Sequence, residues 1–403
     1  MKTKLFWILL GVITMSCSDT DSEPAPDTME YTPSISETLS AEEAYVMPEI
    51  VNAQIDFVKA VILNDKTGNN LAFSPISYQF TMSMIANGVS DEIKHEILTV
   101  LGVSDLNALN SINKKVYSLL PQQHANTDYV SASSLWYDRS LSLKRSYLEK
   151  IDEYYTLDVF DRDMHDSAII SEMNSWCLTK TNNTITDFFN ESPGDFSILN
   201  ALYFKSPWIE KFDKSDTQLK PFYGENGNTF VQTMSKHVNA HIHFTNPEDA
   251  IALKLLCGGK RFSVTFVEAP EKMSINDFIQ TETFNKAVNE LEPLSVVAYI
   301  PKFKLNPDKI SLIDVSKYMG IEALFSKPIS EIFDEPTHVT HLEQKSAIEI
   351  NEDGAEASVS TNISGAVYEN YPGMEIKINR PFVVLIRDES TGMILFAGKV
   401  ANI

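Results

Sequence analysis

Roughly 360 residues, from about position 43 to the C-terminus, carry apolar patterning without a low-complexity break, and its period changes along the way. Ile50, Ala53, Phe57, Val58, Val61 and Ile62 recur at helical spacing. Ser74-Pro75-Ile76-Ser77 then places a capping residue and an early proline ahead of a second helix that ends near Gly88. Helices are predicted over 91–101, 147–155 and 169–180, with a strand at 130–138 among them. From the mostly apolar, buried strand at 196–204 onward, strand patterns dominate: 230–234, 240–244, 251–256, 262–268 and 295–300. Two late helices are predicted around 279–291 and 312–319. The chain closes on strands at 375–378, 382–387 and 394–399, with Ser390-Thr391-Gly392 as a turn. Helices first and many strands later specify an α+β fold with mixed sheets. With no second linker and no internal repeat, one large domain is expected over 43–403.

The N-terminus reads differently. Met1-Lys2-Thr3-Lys4 is basic, 5–15 is a short apolar run, and Ser16-Cys17 follows. The run is too short to span a bilayer as a helix, and the layout is that of an export signal. Thr14-Met15-Ser16-Cys17 resembles the bacterial lipoprotein processing site. That resemblance implies a lipoprotein signal peptide over 1–16, an acylated Cys17, and an outer-membrane lipoprotein exposed at the cell surface. Ser18-Asp19-Thr20-Asp21 looks like the acidic tag of some surface lipoproteins. Residues 17–42 are read as an acidic, disordered tether, because Asp19, Asp21, Glu23, Asp27, Glu30 and Glu37 lie there with three prolines and little to bury.

A formal charge of -22 argues against nucleic acid and heparin-like polyanions as partners. Beyond Cys17 only Cys177 and Cys257 remain, which is no disulfide framework, although a single 177–257 bond stays open. Motifs for hydrolase, zinc-peptidase, redox or phosphate-loop chemistry are missing. His241 and His243 would share one face of a strand, and His338 and His341 lie three apart, but neither pair has a nearby third ligand. No metal, no cofactor and no catalytic set are therefore expected; the chain does not read as an enzyme.

Near the C-terminus, an acidic turn at Asn351-Glu352-Asp353-Gly354 leads into an alternating stretch. Ala355, Ala357, Val359, Thr361 and Ile363 form one small or apolar face, while Glu356, Ser358, Ser360, Asn362 and Ser364 form a polar one. By itself this segment could be a loop or a half-buried strand.

Several segments, in order and at matching separations, carry a resemblance that spans about 43–403. They are Asn70, Phe73, Ser74-Pro75 and Ser77 with Asn87-Gly88; Asn174, Trp176, Thr181 and Ile185; and Asn200-Ala201-Leu202-Tyr203-Phe204-Lys205 with Trp208, Phe212 and Thr217. Ile348-Glu349-Ile350-Asn351-Glu352-Asp353-Gly354, Arg380-Pro381-Phe382, Ile386-Arg387, Thr391-Gly392 and 394–400 complete the set. Together they resemble the serpins.

The resemblance implies the serpin fold, with mixed β-sheets, a helical cluster and an exposed reactive centre loop at about 352–377. It also implies a monomeric suicide inhibitor of serine proteases, with cysteine proteases as a further target class and a non-inhibitory binding module at the cell envelope as the alternative. Glu352, Gly354, Ala355, Ala357, Val359, Thr361 and Ile363 would form the hinge and inserting strand. Ser74, Ser77, Asn200 and Gln344 match the shutter, a hydrogen-bonded cluster behind the opening sheet. Gln344 stands where the family usually has histidine, so opening should lack a pH dependence of that origin. Trp208 matches the breach, and Lys302 and Glu352 match a pair bridging strand and hinge.

Counting fifteen positions from Gly354 puts the reactive bond between Tyr368 and Glu369, which suits a chymotrypsin-like primary pocket. Bonds after 366, 367, 370 or 371 are alternatives, the first two suiting elastase-like enzymes. Nothing basic lies between Lys345 and Lys377, which disfavours trypsin-like targets.

Overall fold

Ser40 and Glu43 start the fold with a reciprocal capping box, in which each side chain accepts the other residue's backbone N–H. The computed structural model describes residues 39–120, 126–246, 249–355 and 374–403. The expected signal peptide, Cys17 and most of the expected tether lie outside them, as do Ala357, Val359, Thr361, Ile363, Tyr368 and Glu369. Helix α1 (Ala41–Asn64) begins two residues before the expected domain boundary at 43. The reason is that Glu43 is buried and takes Lys115 and Ser111 as partners, which fixes the first turn in place.

The helical half continues with β1 (Leu71–Phe73), α2 (Pro75–Ala86), α3 (Asp91–Val100), α4 (Leu106–Leu119), β2 (Asp128–Asp138), α5 (Arg145–Tyr154), β3 (Leu157–Arg162), α6 (Ala168–Lys180) and β4 (Phe196–Pro207). Ser74 caps α2 by accepting the N–H of Ser77, with Pro75 at the first helical position. Then come β5 (Gln218–Gly224), β6 (Gly227–Asn246), β7 (Asp249–Cys257), β8 (Phe262–Glu268), α7 (Ile275–Phe278), α8 (Glu282–Asn289), β9 (Glu292–Pro301), β10 (Phe303–Leu305), β11 (Ile310–Ser311), α9 (Ile313–Met319) and α10 (Ala323–Ser326). The last strands are β12 (Glu343–Gln344), β13 (Ile348–Asn351), β14 (Gly354–Ala355), β15 (Glu375–Lys377), β16 (Phe382–Asp388) and β17 (Ile394–Val400).

Three sequence expectations change. The single late helix at 279–291 is two short ones, because Thr281 caps a new start at Glu282. The strands at 230–234 and 240–244 are one, β6, which pairs with β5 along its first part and with β9 and β7 beyond it. Helix α4 went unpredicted, although Asp105 caps it and Leu109, Ile112 and Val116 face the core.

A nine-stranded sheet runs β1-β17-β16-β8-β7-β6-β9-β15, with β5 branching from β6; a six-stranded sheet runs β10-β13-β14-β4-β2-β3. The fold is thus α+β with mixed sheets. Alternation along β4 divides its side chains: Leu199 and Ala201 pack with Trp136, Met173 and Trp176 under α6, while Leu202 and Phe204 join the main core.

Candidate functional site

Among the described residues, the six-stranded sheet is incomplete in its middle. On one edge β4 pairs with β2 from Phe196 to Lys205. On its other edge, among the described residues, only Ser206 and Pro207 have ladder partners, and these are Ala355 and Gly354 of β14. β14 in turn pairs with β13, Ile350 opposite Ala355 and Asn351 opposite Gly354. The chain therefore turns back at Glu352-Asp353 and starts a strand wedged between β13 and β4. Ala355 is buried in the main core. The approach at Gly354 requires glycine, since a Cβ there would stand 2.1 Å from the Ser206 carbonyl oxygen.

The turn is held from three sides. Trp208 donates its backbone N–H to Asp353 O at 3.1 Å and its indole Nε1–H to Asn351 O at 2.8 Å. Glu352 is buried; Lys302 Nζ lies 3.0 and 2.8 Å from its two carboxylate oxygens, and Thr217 Oγ1 donates to Oε1 at 2.8 Å. Burial opposes ionisation of Glu352, but Lys302, a backbone N–H and Thr217 outweigh it and hold the pKa below the ordinary carboxylate value. Asp353 faces Lys211 at 3.3 Å and Lys214 at 3.7 Å. Asp353 stands out in the sequence only as part of the acidic turn, and Lys211 and Lys214 do not stand out at all.

Below the turn, β4 and the segment 339–345 flank a narrow cleft of about 80 Å³ floored by Ser77 and Tyr78 of α2. Gln344 locks onto the start of α2: its Oε1 accepts the Ser74 N–H at 2.8 Å and its Nε2 donates to Ser74 O at 2.9 Å. Ser74 Oγ donates to Leu395 O at 2.6 Å and accepts from Ser77 N. Ser77 Oγ is buried and has no hydrogen-bond partner among the described residues.

Asn200 departs from the expected cluster. It lines the same cleft, but the β2–β4 register puts it opposite Ser133, on the core side of the sheet. Its amide donates to Tyr117 Oη at 2.9 Å and Ser133 Oγ at 3.0 Å, and it makes no bond to Ser74, Ser77 or Gln344. The shutter residues thus form two networks across a gap rather than one.

On the C-terminal side of the expected reactive loop, the returning chain is anchored. β15 pairs in parallel with β9, and buried Glu268 accepts the N–H groups of Asn379 at 2.7 Å and Arg380 at 3.1 Å. Cys177 and Cys257 are both buried and free, so the 177–257 bond left open by the sequence is not formed. His241 and His243 both lie in β6, and among the described residues no three His, Cys, Asp or Glu side chains gather as metal ligands.

A family model described as Serpin (serine protease inhibitor) matches residues 52–403. Serpin I2 of Homo sapiens is 28% identical over 364 residues, covering 86% of this chain and 89% of its own length. Serpin-ZX of Arabidopsis thaliana is 29% identical over 380 residues, covering 86% and 96%. Among solved structures, the thermophilic serpin Tengpin in its native state superposes with a TM-score of 0.80 at 24% identity, covering 91% of this chain and 95% of that one.

Proposed function

The chain belongs to the serpin family, and from that premise we propose that it traps serine proteases as a suicide substrate, by inserting its reactive loop between β13 and β4. The observation that carries this reading is the two-residue strand Gly354–Ala355, already seated in the sheet above a β4 edge that has no further ladder partner among the described residues. Each further residue that follows Ala355 would add backbone hydrogen bonds to that edge, at about 0.5–1.5 kcal/mol each, and bury one small side chain in two.

The chemistry runs on the protease's own machinery. Its serine Oγ attacks the Tyr368 carbonyl carbon, the Tyr368–Glu369 peptide bond breaks, and the new amine leaves on the C-terminal piece. The acyl ester stays on Tyr368. Insertion of 356 onward then has to outrun hydrolysis of that ester, which drags the protease along the sheet. The target class is chymotrypsin-like or elastase-like, because no basic residue lies between Lys345 and Lys377. The inhibitory domain would act as a monomer at the outer surface of a bacterial cell, tethered through 17–42 by a lipid on Cys17.

Incubation with chymotrypsin and elastase, followed by denaturing electrophoresis, tests this directly. The expected product is an SDS-resistant complex, with a released peptide beginning at Glu369 by mass spectrometry and a large rise in melting temperature of the nicked chain. Cleavage without a complex and without thermal stabilisation refutes inhibition and leaves the binding-module alternative. A different first residue on the released peptide moves the reactive bond but not the mechanism.

A further inference from the structure

The chain leaving β4 forms a platform over 208–216 beside the hinge turn, and this platform is fixed to the nine-stranded sheet. Ile209 donates its N–H to Leu256 O of β7 at 3.2 Å, and Lys236 Nζ of β6 donates to Lys211 O at 2.7 Å. Asp213 caps a 3-10 turn at Lys214–Asp216 by accepting the Ser215 N–H at 2.8 Å, and Ser235 Oγ of β6 donates to Asp216 O at 3.1 Å. From this platform the Phe212 N–H reaches Glu352 O at 3.0 Å.

Two ammoniums on the platform converge on one carboxylate of the turn. Lys211 Nζ stands 3.3 Å from Asp353 Oδ1, and Lys214 Nζ 3.7 Å from Oδ2, one cation to each oxygen. The backbone of Asp353 is held as well: its N–H donates to Asn351 Oδ1 at 3.0 Å and its C=O accepts from Trp208. Gly354 follows directly, so the place of Asp353 fixes where β14 begins. Exposed ion pairs are individually weak, and Lys214, at 74% exposure, contributes less than Lys211 at 24%. A two-residue strand is where so small a contribution decides the outcome, because a short segment with few contacts opens at low free energy.

We infer that Lys211 and Lys214 are positioning residues, which through Asp353 keep Gly354–Ala355 seated between β13 and β4 and so set how often loop insertion starts before the acyl ester is hydrolysed. The seating stands on the contacts alone; its effect on trapping rests on the inhibitory reading. One consequence is that the division between trapped protease and spent, cleaved inhibitor depends on ionic strength. Pairs this exposed are screened as the Debye length falls from about 10 Å at 0.1 M salt to about 3 Å at 1 M.

Two measurements on the intact chain test this, each on the wild type, on Lys211→Met with Lys214→Met, and on Lys211→Arg with Lys214→Arg. Amide exchange in peptides covering 351–355 and 204–208 reads the seating without any protease. At 0.1 M salt the methionine variant should exchange there roughly three- to tenfold faster than the wild type, the worth of two surface pairs, with peptides from α2 and β17 unchanged. The arginine variant should match the wild type, and all three should converge at 1 M salt. The second measurement is the number of inhibitor molecules consumed per chymotrypsin molecule trapped, which should rise in the methionine variant at 0.1 M salt and equal the wild type at 1 M. Equal exchange in wild type and methionine variant, or a difference that persists at 1 M salt, overturns seating by charge. Faster exchange with unchanged consumption overturns the link to trapping. A wild type that traps no protease refutes the inhibitory reading, and the exchange rates still decide the seating.

Discussion

Glu352→Ala removes the carboxylate that fixes the hinge turn, and its cost can be worked from the contacts. Charge-assisted hydrogen bonds from the Lys302 and Thr217 side chains are lost, along with a local one from a backbone N–H. Hydrogen bonds to charged groups contribute about 1.5–3 kcal/mol each. Lys302 is 35% exposed and recovers water when its partner goes, so its bond belongs at or below the low end of that range. The expected loss is therefore about 2–4 kcal/mol. For a domain of roughly 360 residues, an unfolding entropy of about 2.1 cal/mol/K per residue converts this to a fall of about 3–5 °C in melting temperature.

Scanning fluorimetry of the wild type, Glu352→Ala, Lys302→Ala and the double variant isolates the pair term. The pH dependence has a fixed sign. Because the folded pKa of Glu352 is depressed, its contribution is full above the unfolded value near 4.5 and is lost as pH falls through the folded one. The gap between wild type and Glu352→Ala should thus be constant from pH 6 to 8 and close under acid conditions. A double variant whose effect is the simple sum of the singles, or a gap that widens in acid, would refute the coupling of Lys302 to Glu352 as what holds the turn.

Three further outcomes follow from the same geometry. Gly354→Ala puts a Cβ against the Ser206 carbonyl and should expel β14 from the sheet, read as faster amide exchange in peptides covering 351–355 and 204–208; unchanged protection there would mean that the backbone yields instead. Gln344→Ala leaves the N–H of buried Ser74 without its partner, while the Ser74 C=O keeps the Tyr78 N–H, and should cost about 1–3 kcal/mol, whereas Ser77→Ala deletes a buried hydroxyl with no partner among the described residues and should leave the melting temperature equal or higher. In a Cys17→Ser chain, burial pushes the thiols of Cys177 and Cys257 up to about 12, so both should resist a thiol reagent at pH 8 in the native protein and react on denaturation; fast native labelling of either contradicts its placement.

Much of the architecture was legible because it is written in local chemistry. The Ser74-Pro75 start of α2 rests on a capping hydroxyl and a fixed proline φ, and β16 and β17 are apolar over nearly their whole length. Helix α4 was missed for a physical reason. Asn110 and Asn113 occupy its buried face, bonded to Asn87 and Tyr155 and to Gln79, Ser83 and Tyr155 respectively, so the stripe reads as polar although it faces the core. No window of sequence reveals that a buried asparagine has partners on other helices.

The same limit explains the shutter. Ser74, Ser77, Asn200 and Gln344 were expected in one cluster, yet register decides whom a strand residue meets, and register is a property of two strands. Opposite Ser133, Asn200 reaches Tyr117 and leaves its own Oδ1 unpaired beside the cleft. Ser77 Oγ on the cleft floor is likewise unpaired. Two residues that line one cleft thus each hold a buried polar atom without a partner among the described residues, at a cost of about 1–3 kcal/mol each. Under the proposed insertion mechanism, that cost falls on the sheet before the loop enters. An entering strand that supplied a donor or acceptor to either atom would remove it, adding to the ladder bonds along β4 as a reason for the sheet to close.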